Sequence, residues 1–275
     1  MILVTGATGG VGRPLVELLH AGGTGVRAVT RNAAAAGLPA GVEVVEADLN
    51  QPTAIADELT GVSSLFLNPE AVGDSARDLL KLAREAGVRR VVLLSGIAVD
   101  PPTLAIEEAV AESGLERVIL RPGMFATGTL ALWAGQIRAG DTVAGPYARS
   151  QQAPIDPRDL AAVAAQALLT DELVKREPKL TGPESLTHAE MVGVIGTALE
   201  RPLRYEEVPP EAAKRGMAGL GIPEPVIDAY LALLRETVDR PALVTDEVER
   251  ILGRPATPYA AWVRDHLDAF RGTDS

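Results

Sequence analysis

The sequence predicts an α/β fold: a doubly wound parallel sheet followed by a smaller, mostly helical C-terminal lobe. Three observations carry this. Residues 1–125 alternate short β-branched or aliphatic runs with stretches of helical periodicity, the pattern of repeated βαβ units. Most of those runs are apolar throughout rather than alternating, as strands covered on both faces require. A glycine-rich turn, with Gly6, Gly9 and Gly12, joins the first run directly to the first helical stretch.

Taken in order, the expected strands are Ile2–Thr5, Val26–Thr30, Val42–Glu46, Ser64–Leu67, Arg90–Ser95 and Arg117–Arg121. Between them, Val11, Leu15, Leu18 and Leu19 share one helical face. Asp74 and Ser75 are placed to cap a helix carrying Leu79, Leu82 and Ala83. Glu107, Val110 and Ala111 belong to a further helix, ended by Gly114. After about residue 126 helical patterns dominate: Gly128–Ala139, Pro157–Leu169, Thr187–Leu199, Pro223–Val238, Thr245–Leu252 and Pro258–Phe270, with short strands expected at Lys179–Thr181 and Leu203–Val208. No Gly/Ser linker separates the halves, so the expectation is a nucleotide-binding core at 1–125 and a helical lobe at 126–275 packed on it.

Composition narrows the function classes. The chain has 275 residues, 47% hydrophobic and 23% charged, which excludes disorder as its main state. It contains no cysteine, so disulfides, thiolate nucleophiles and cysteine-ligated metals are excluded. The formal net charge of −11, with basic residues scattered, argues against a nucleic-acid partner. Arginine outnumbers lysine 22 to 4, a coding bias of a GC-rich genome rather than chemistry. No apolar run approaches the roughly 20 residues of a membrane helix, and the opening residues lack the features of a signal peptide. The expectation is a cytoplasmic protein with a small-molecule substrate, no membrane partner and an open oligomeric state. No His-Glu-x-x-His, no Gly-x-Ser-x-Gly elbow and no P-loop lysine is present, and no metal site is expected.

The chemistry lies in Val4-Thr5-Gly6-Ala7-Thr8-Gly9-Gly10-Val11-Gly12-Arg13. In strand–turn–helix context, Gly6 permits the tight turn, Gly9 lets a pyrophosphate approach the backbone, and Gly12 lets the helix pack closely on the strand. The helix N-terminus adds free N–H groups and the positive end of a dipole. The second strand ends at Arg31, where an NAD-preferring site carries Asp or Glu; an arginine there pairs with a 2′-phosphate. Ligands of open α/β sheets bind beyond the C-terminal strand ends. Asn68-Pro69, Ser95-Gly96 and Pro122-Gly123-Met124-Phe125 end the fourth, fifth and sixth strands and are therefore expected around the reactive end of a dinucleotide.

Several segments resemble the NmrA-like atypical short-chain dehydrogenases/reductases. They are Thr5 to Gly12, Val91-Val92-Leu93-Leu94-Ser95, Leu120-Arg121-Pro122-Gly123-Met124-Phe125, Gln136 to Asp141, Pro154-Ile155 with Arg158-Asp159, and Leu180 to Thr187. The resemblance spans nearly the whole chain. It implies an extended Rossmann domain, NADP(H) as cofactor, and a C-terminal lobe that covers the substrate. It assigns cofactor contacts to Gly6, Thr8, Gly9, Gly10, Val11, Gly12, Arg31, Asp48, Leu49, Asn68, Pro69, Ser95, Gly96, Pro122, Gly123, Met124 and Phe125, with Asp48-Leu49 near the adenine.

The usual proton-transfer groups of short-chain dehydrogenases are missing. Four residues after Tyr147, Tyr205, Tyr230 and Tyr259 stand Gln151, Pro209, Leu234 and Val263, so no Tyr-x-x-x-Lys exists. Where the resemblance places a Lys or His a few residues before a Glu, this chain has Thr103 and Glu107. The polar candidates left near the reactive end are Ser95, Asp100, Thr103 and Asp156. Of these Ser95, Asp100 and Thr103 are the catalytic candidates, Ser95 as a hydrogen-bond donor to a substrate carbonyl. Asp100 also reads as a turn residue, Asp156 as a helix cap, Glu107 as a solvated helix carboxylate or a member of a salt bridge within its helix, and His20, His188 and His266 as surface histidines. Three functions fit: an NADPH-dependent reductase of quinone, enone or iminium-like acceptors; an NADP(H)-binding redox sensor without turnover; and a non-redox cyclase or isomerase that keeps the cofactor site.

Overall fold

The structure, a computed structural model, describes residues 1–271. From the N-terminus run β1 (Ile2–Val4), α1 (Gly12–Ala21), β2 (Val26–Thr30), β3 (Glu43–Glu46), β4 (Ser64–Leu67), a single turn α2 (Pro69–Val72), α3 (Ala76–Glu85), β5 (Arg90–Leu94), α4 (Pro101–Glu112) and β6 (Glu116–Pro122). There follow a π-helical turn at Leu130–Ala134, α5 (Gly135–Ala139), β7 (Thr142–Gly145), β8 (Gln151–Gln152), α6 (Pro157–Leu169), β9 (Lys179–Leu180), β10 (Leu186–Thr187) and α7 (His188–Leu199). The chain ends through β11 (Arg204–Glu207), α8 (Pro210–Gly219), α9 (Glu224–Glu236), α10 (Glu247–Leu252), α11 (Tyr259–Asp265) and α12 (Leu267–Arg271).

Two compact units result. The first holds Met1–Pro122, Pro157–Leu180 and Glu247–Arg254. The second holds Gly123–Asp156, Thr181–Asp246 and the described residues from Pro255 onward. The expected division at 125/126 is therefore corrected. The chain leaves the first unit after Pro122 but returns to it twice. Helix α6 returns because Leu160, Val163, Ala164, Ala167 and Leu168 are fully apolar on the face they bury. It packs on α1, β4, β5 and β6. Strand β9 belongs to the same return and pairs parallel to β6, Arg121 opposite Lys179. The second return is α10, which packs on α6 and β9.

The first unit is a seven-stranded parallel sheet in the order β3-β2-β1-β4-β5-β6-β9, in which the order of strand addition switches sides between β1 and β4. One face presents Leu3, Leu65, Leu67, Val91, Leu93 and Ile119 to Leu79, Leu80 and Ala83 of α3 and to Ile106, Ala109 and Val110 of α4. Helices α1 and α6 cover the other. This is the doubly wound fold the apolar runs predict, and all six expected strands are present, with no end moved by more than one residue. Arg90 begins the buried β5 yet has no exposed surface. It is tolerated because its guanidinium meets the carbonyls of Ala167 (2.9 Å) and Thr170 and the carboxylates of Glu116 (2.9 Å) and Asp171. Ser75 does not cap α3: its hydroxyl donates to the carbonyls of Val72 and Leu49 instead.

The second unit has its own core of Trp133, Ile137, Val143, Met191, Ile195, Tyr259, Trp262 and Phe270. The helix expected at Gly128–Ala139 is helical throughout, with a π-helical turn inside it leading into α5, whereas the one expected at Pro258–Phe270 breaks at His266. Strands β7 and β11 pair in parallel, while β8 and β10 form a two-residue antiparallel ladder.

Candidate active site

Strand β1 ends at Val4, and Thr5 and Gly6 begin the turn. Thr5 is buried; its hydroxyl donates to the Phe66 carbonyl (3.0 Å) and accepts from the Asn68 amide (2.8 Å), joining the ends of β1 and β4. Gly6 has φ +62°, and a β-carbon there would lie 2.5 Å from Asn68 Nδ2. At Gly12 a β-carbon would lie 2.1 Å from the Gly6 carbonyl oxygen, so only glycine lets α1 approach this closely. Residues Thr8, Gly9 and Gly10 are exposed at the lip. The Gly9 amide is spent on Gly6 (3.0 Å), and no side chain caps α1. Among the described residues the amides of Gly10 and Val11 make no hydrogen bond. Two unspent N–H groups, a helix dipole and a lip without side-chain bulk could hold an anion such as a pyrophosphate.

Arg31 follows β2, exposed and with no hydrogen-bond or ion-pair partner among the described residues. The loop beyond it is held in place. Arg13 donates to the carbonyls of Ala36 and Gly37 (both 2.8 Å), Asn32 accepts from the Ala35 amide (3.0 Å), and Glu46 accepts from the Ala33 amide (2.8 Å). A free guanidinium on a fixed backbone at this strand end suits a 2′-phosphate. Asp48 accepts from the backbone and side-chain amides of Asn50 (3.0 and 2.9 Å), and Leu49 is buried. Asn68 caps α2 by accepting from the Glu70 amide (3.1 Å), with Pro69 at the first helical position.

Ser95 and Gly96 follow β5. The Ser95 hydroxyl donates to the Glu107 carboxylate, which is also gripped by Arg121 through two bonds of 2.9 Å. Glu107 is therefore neither solvated nor paired within its own helix. It is 9% exposed, and it bridges α4 to the ends of β5 and β6. Arg121 also reaches the Gly96 carbonyl (3.2 Å) and Glu177 (2.8 Å), and these carboxylates hold the guanidinium more firmly protonated than usual. Pro122 accepts from the Ile97 amide (2.9 Å). Asp100 caps α4, its carboxylate accepting from the Thr103 amide (2.9 Å), and Thr103 is half-buried.

Gly123, Met124 and Phe125 belong to the second unit. Met124 and Phe125 are half-buried there, and the Met124 carbonyl accepts from the Ile155 amide (2.8 Å). Asp156 is buried. His188 corrects the expectation of a surface residue, being 1% exposed. Its ring stands edge-on to Trp133, with centroids 5.5 Å apart, and burial lowers its pKa to about 4. His20 and His266 are half-buried. Among the described residues no group of three or more His, Asp or Glu could hold a metal ion.

A sequence model of NAD(P)H-binding proteins matches residues 6–171, from the glycine turn through α6. The chain belongs to this NAD(P)H-binding family. The match gives the chain a nicotinamide dinucleotide, NAD(P)H, as its cofactor, in agreement with the resemblance to NmrA-like atypical short-chain dehydrogenases/reductases. It is 36% identical over 283 residues to a (4-alkanoyl-5-oxo-2,5-dihydrofuran-3-yl)methyl phosphate reductase of Streptomyces griseus, covering 98% of this chain and 99% of that one. It is 34% identical over 284 residues to an NAD(P)H azoreductase of Xenophilus azovorans, with 98% and 99% covered. Solved structures share the fold. An NADPH-dependent quinone oxidoreductase of Escherichia coli superposes with TM-score 0.82 at 23% identity, over 97% of this chain and 99% of that one. A Citrobacter triphenylmethane reductase in complex with NADP(H) superposes with TM-score 0.78 at 21% identity, over the same shares.

Two members of the strand-end constellation, Glu107 and Arg121, were not candidates from sequence. The signal for them is Arg121 itself: a charged residue closing an apolar parallel strand demands a counter-charge nearby.

Proposed function

We propose that the protein is an NADPH-dependent reductase of small conjugated acceptors, working without a side-chain proton donor. The observation that carries this reading is the state of the strand-end hydroxyl. The Ser95 proton is turned to Glu107, so it is not available to a substrate carbonyl. The Asp100 carboxylate is spent on capping α4. The chain has no Tyr-x-x-x-Lys pair.

The cofactor, when bound, supplies a hydride from its nicotinamide. The protein's own groups do the rest. The Gly10 and Val11 amides and the N-terminus of α1 bind the pyrophosphate, and Arg31 binds the 2′-phosphate. Arg121 and Glu107 fix Ser95, whose oxygen lone pairs remain as acceptors. With no proton delivered as the hydride arrives, the acceptor must become a stable anion by itself. Quinones, enones and iminium-like acceptors meet that condition, and a simple ketone does not. The relatives' names fit it. A 4-alkanoyl-5-oxo-2,5-dihydrofuran has its ring double bond conjugated to two carbonyls, so hydride addition leaves a delocalised enolate. An azo group is likewise an electron-poor double bond.

The test is steady-state consumption of NADPH against a panel of quinones, acyl butenolides, azo dyes and simple ketones. Turnover of the conjugated acceptors with the ketones left untouched is expected. Each of Tyr147, Tyr205, Tyr230 and Tyr259 changed to Phe should retain activity within about tenfold, less than general acid catalysis contributes. A thousandfold loss in any one of them, or ketones turning over as fast as quinones, overturns the reading. Tight NADPH binding with no acceptor consumed supports a sensor instead.

A further inference from the structure

The second unit contains a cavity of about 580 Å³, formed between the π-helical turn, α5, β7, β11, α8 and α9. That volume is in the range of small-molecule sites. Its walls are apolar and aromatic, with Leu132, Trp133, Tyr205, Met217 and Tyr230 among them, and no Asp, Glu, Lys or Arg is among the described residues that line it. An uncharged occupant follows, since a buried charge here would go unpaired.

Two polar side chains of the wall are spent. Gln136 donates to the carbonyls of Leu132 and Ala144 (3.2 Å each) and accepts from the Ala144 amide (2.8 Å). Tyr205 donates to the Pro146 carbonyl (2.7 Å) and lies 3.3 Å from His188 Nδ1. Two lining residues keep an unspent polar atom: the Tyr230 hydroxyl makes no hydrogen bond among the described residues, and His188 Nε2 is buried without a partner among them. A phenol O–H is a better donor than acceptor, so its complement is an acceptor oxygen.

Two further features keep the space open. Gly135 in α5 and Gly216 in α8 both line the cavity, and a β-carbon on either would meet no atom within 4 Å. Glycine is disfavoured in a helix relative to alanine, and here no neighbour excludes a methyl group. Leu132 and Trp133 reach the wall from a π-helical turn, a widened geometry concentrated at functional sites.

We infer that this cavity is a binding site for an uncharged, planar aromatic molecule bearing a carbonyl oxygen, which accepts a hydrogen bond from Tyr230 and lies against Trp133. The inference does not depend on the reductase reading, because binding is measured without turnover. The probes are 2-acetylnaphthalene and its hydrocarbon analogue 2-ethylnaphthalene, titrated by calorimetry into the full chain with NADP⁺ present. The ketone should bind more tightly than the hydrocarbon. Tyr230→Phe should weaken the ketone by about two- to tenfold, the worth of one neutral hydrogen bond, and leave the hydrocarbon unchanged. Gly216→Leu and Gly135→Leu should abolish binding of both probes while the thermal midpoint holds or rises. Should either leucine variant fail to fold, the two-probe comparison on Tyr230→Phe decides alone. Absence of ketone binding to the parent, an equal response of both probes to Tyr230→Phe, or unchanged binding in folded leucine variants overturns the inference.

Discussion

At Arg31 the decisive fact is a cation with no partner among the described residues, on a loop whose backbone is fixed by Arg13, Asn32 and Glu46. A charge-assisted contact to a 2′-phosphate contributes about 1.5–3 kcal/mol, roughly ten- to a hundredfold in affinity. Arg31→Ala should erase most of the preference for NADPH over NADH, as read by calorimetry on both cofactors. Equal affinities in the parent protein would remove Arg31 from the site. His188 makes a different prediction, about pH. Folded, it titrates near 4 because burial disfavours its charged form; unfolded, it titrates near 6.5. Above that upper value both states are neutral and stability is fully present. As pH falls between the two values the unfolded chain takes up a proton the folded chain refuses, so stability is lost, to a limit of about 3 kcal/mol. Between pH 7 and pH 4.5 the parent should lose about 2–3 kcal/mol more, by urea unfolding, than His188→Phe, which keeps the ring contacts without the titration. Parallel losses in the two proteins would contradict this. Arg31 was legible because a strand end is a marked position in this fold. His188 was not, because its burial depends on Trp133 and Tyr205, which are distant in sequence.

In the β1–turn–α1 element close packing accounts for Gly12, and the proposed phosphate contact accounts for Gly10. Gly12→Ala puts a methyl group 2.1 Å from a backbone oxygen, which only a shift of the helix can relieve. It should cost about 1–3 kcal/mol of stability, as overpacking does, and cofactor binding with it. At Gly10 a β-carbon meets nothing within 4 Å, so Gly10→Ala should melt with the parent yet gain less stability from added NADPH. The check is a thermal melt of each variant with and without NADPH. A Gly10→Ala protein with the full ligand-induced shift would place the phosphates elsewhere. Elements of this kind are the readable part of the chain: six strands, most of them apolar, and a glycine turn announce themselves by period and spacing. Helix α8 was missed because Gly216 and Gly219 dilute its helical propensity and Pro209 and Pro210 suggest a turn. Strands β8 and β10 have only two residues each, too few to show any period. Glu107 was misread because α4 has a weak apolar face, so nothing local distinguishes a buried carboxylate from a solvated one.

For the whole molecule, length and pattern imply one nucleotide-binding sheet and one helical lobe, and both exist as compact units. The path of the chain between them was not legible. Helix α6 looks like any other late helix, and its return to the sheet is decided by which surfaces remain uncovered after the first 122 residues have folded. The account's central claim concerns the molecule as a whole: a hydride passes from bound NADPH to a conjugated acceptor with no fixed side-chain acid. Deuterium tracing tests it most directly. Excess protein is mixed with NADPH deuterated at the transferred C4 position and an acyl butenolide or other enone, and the product is analysed by mass spectrometry after a single turnover. The account predicts one deuterium on the β-carbon of the reduced acceptor, with the nicotinamide absorbance lost in step and the same label in all four Tyr→Phe variants. A reduced product without deuterium, or bound NADPH that persists unchanged before every acceptor, would contradict it.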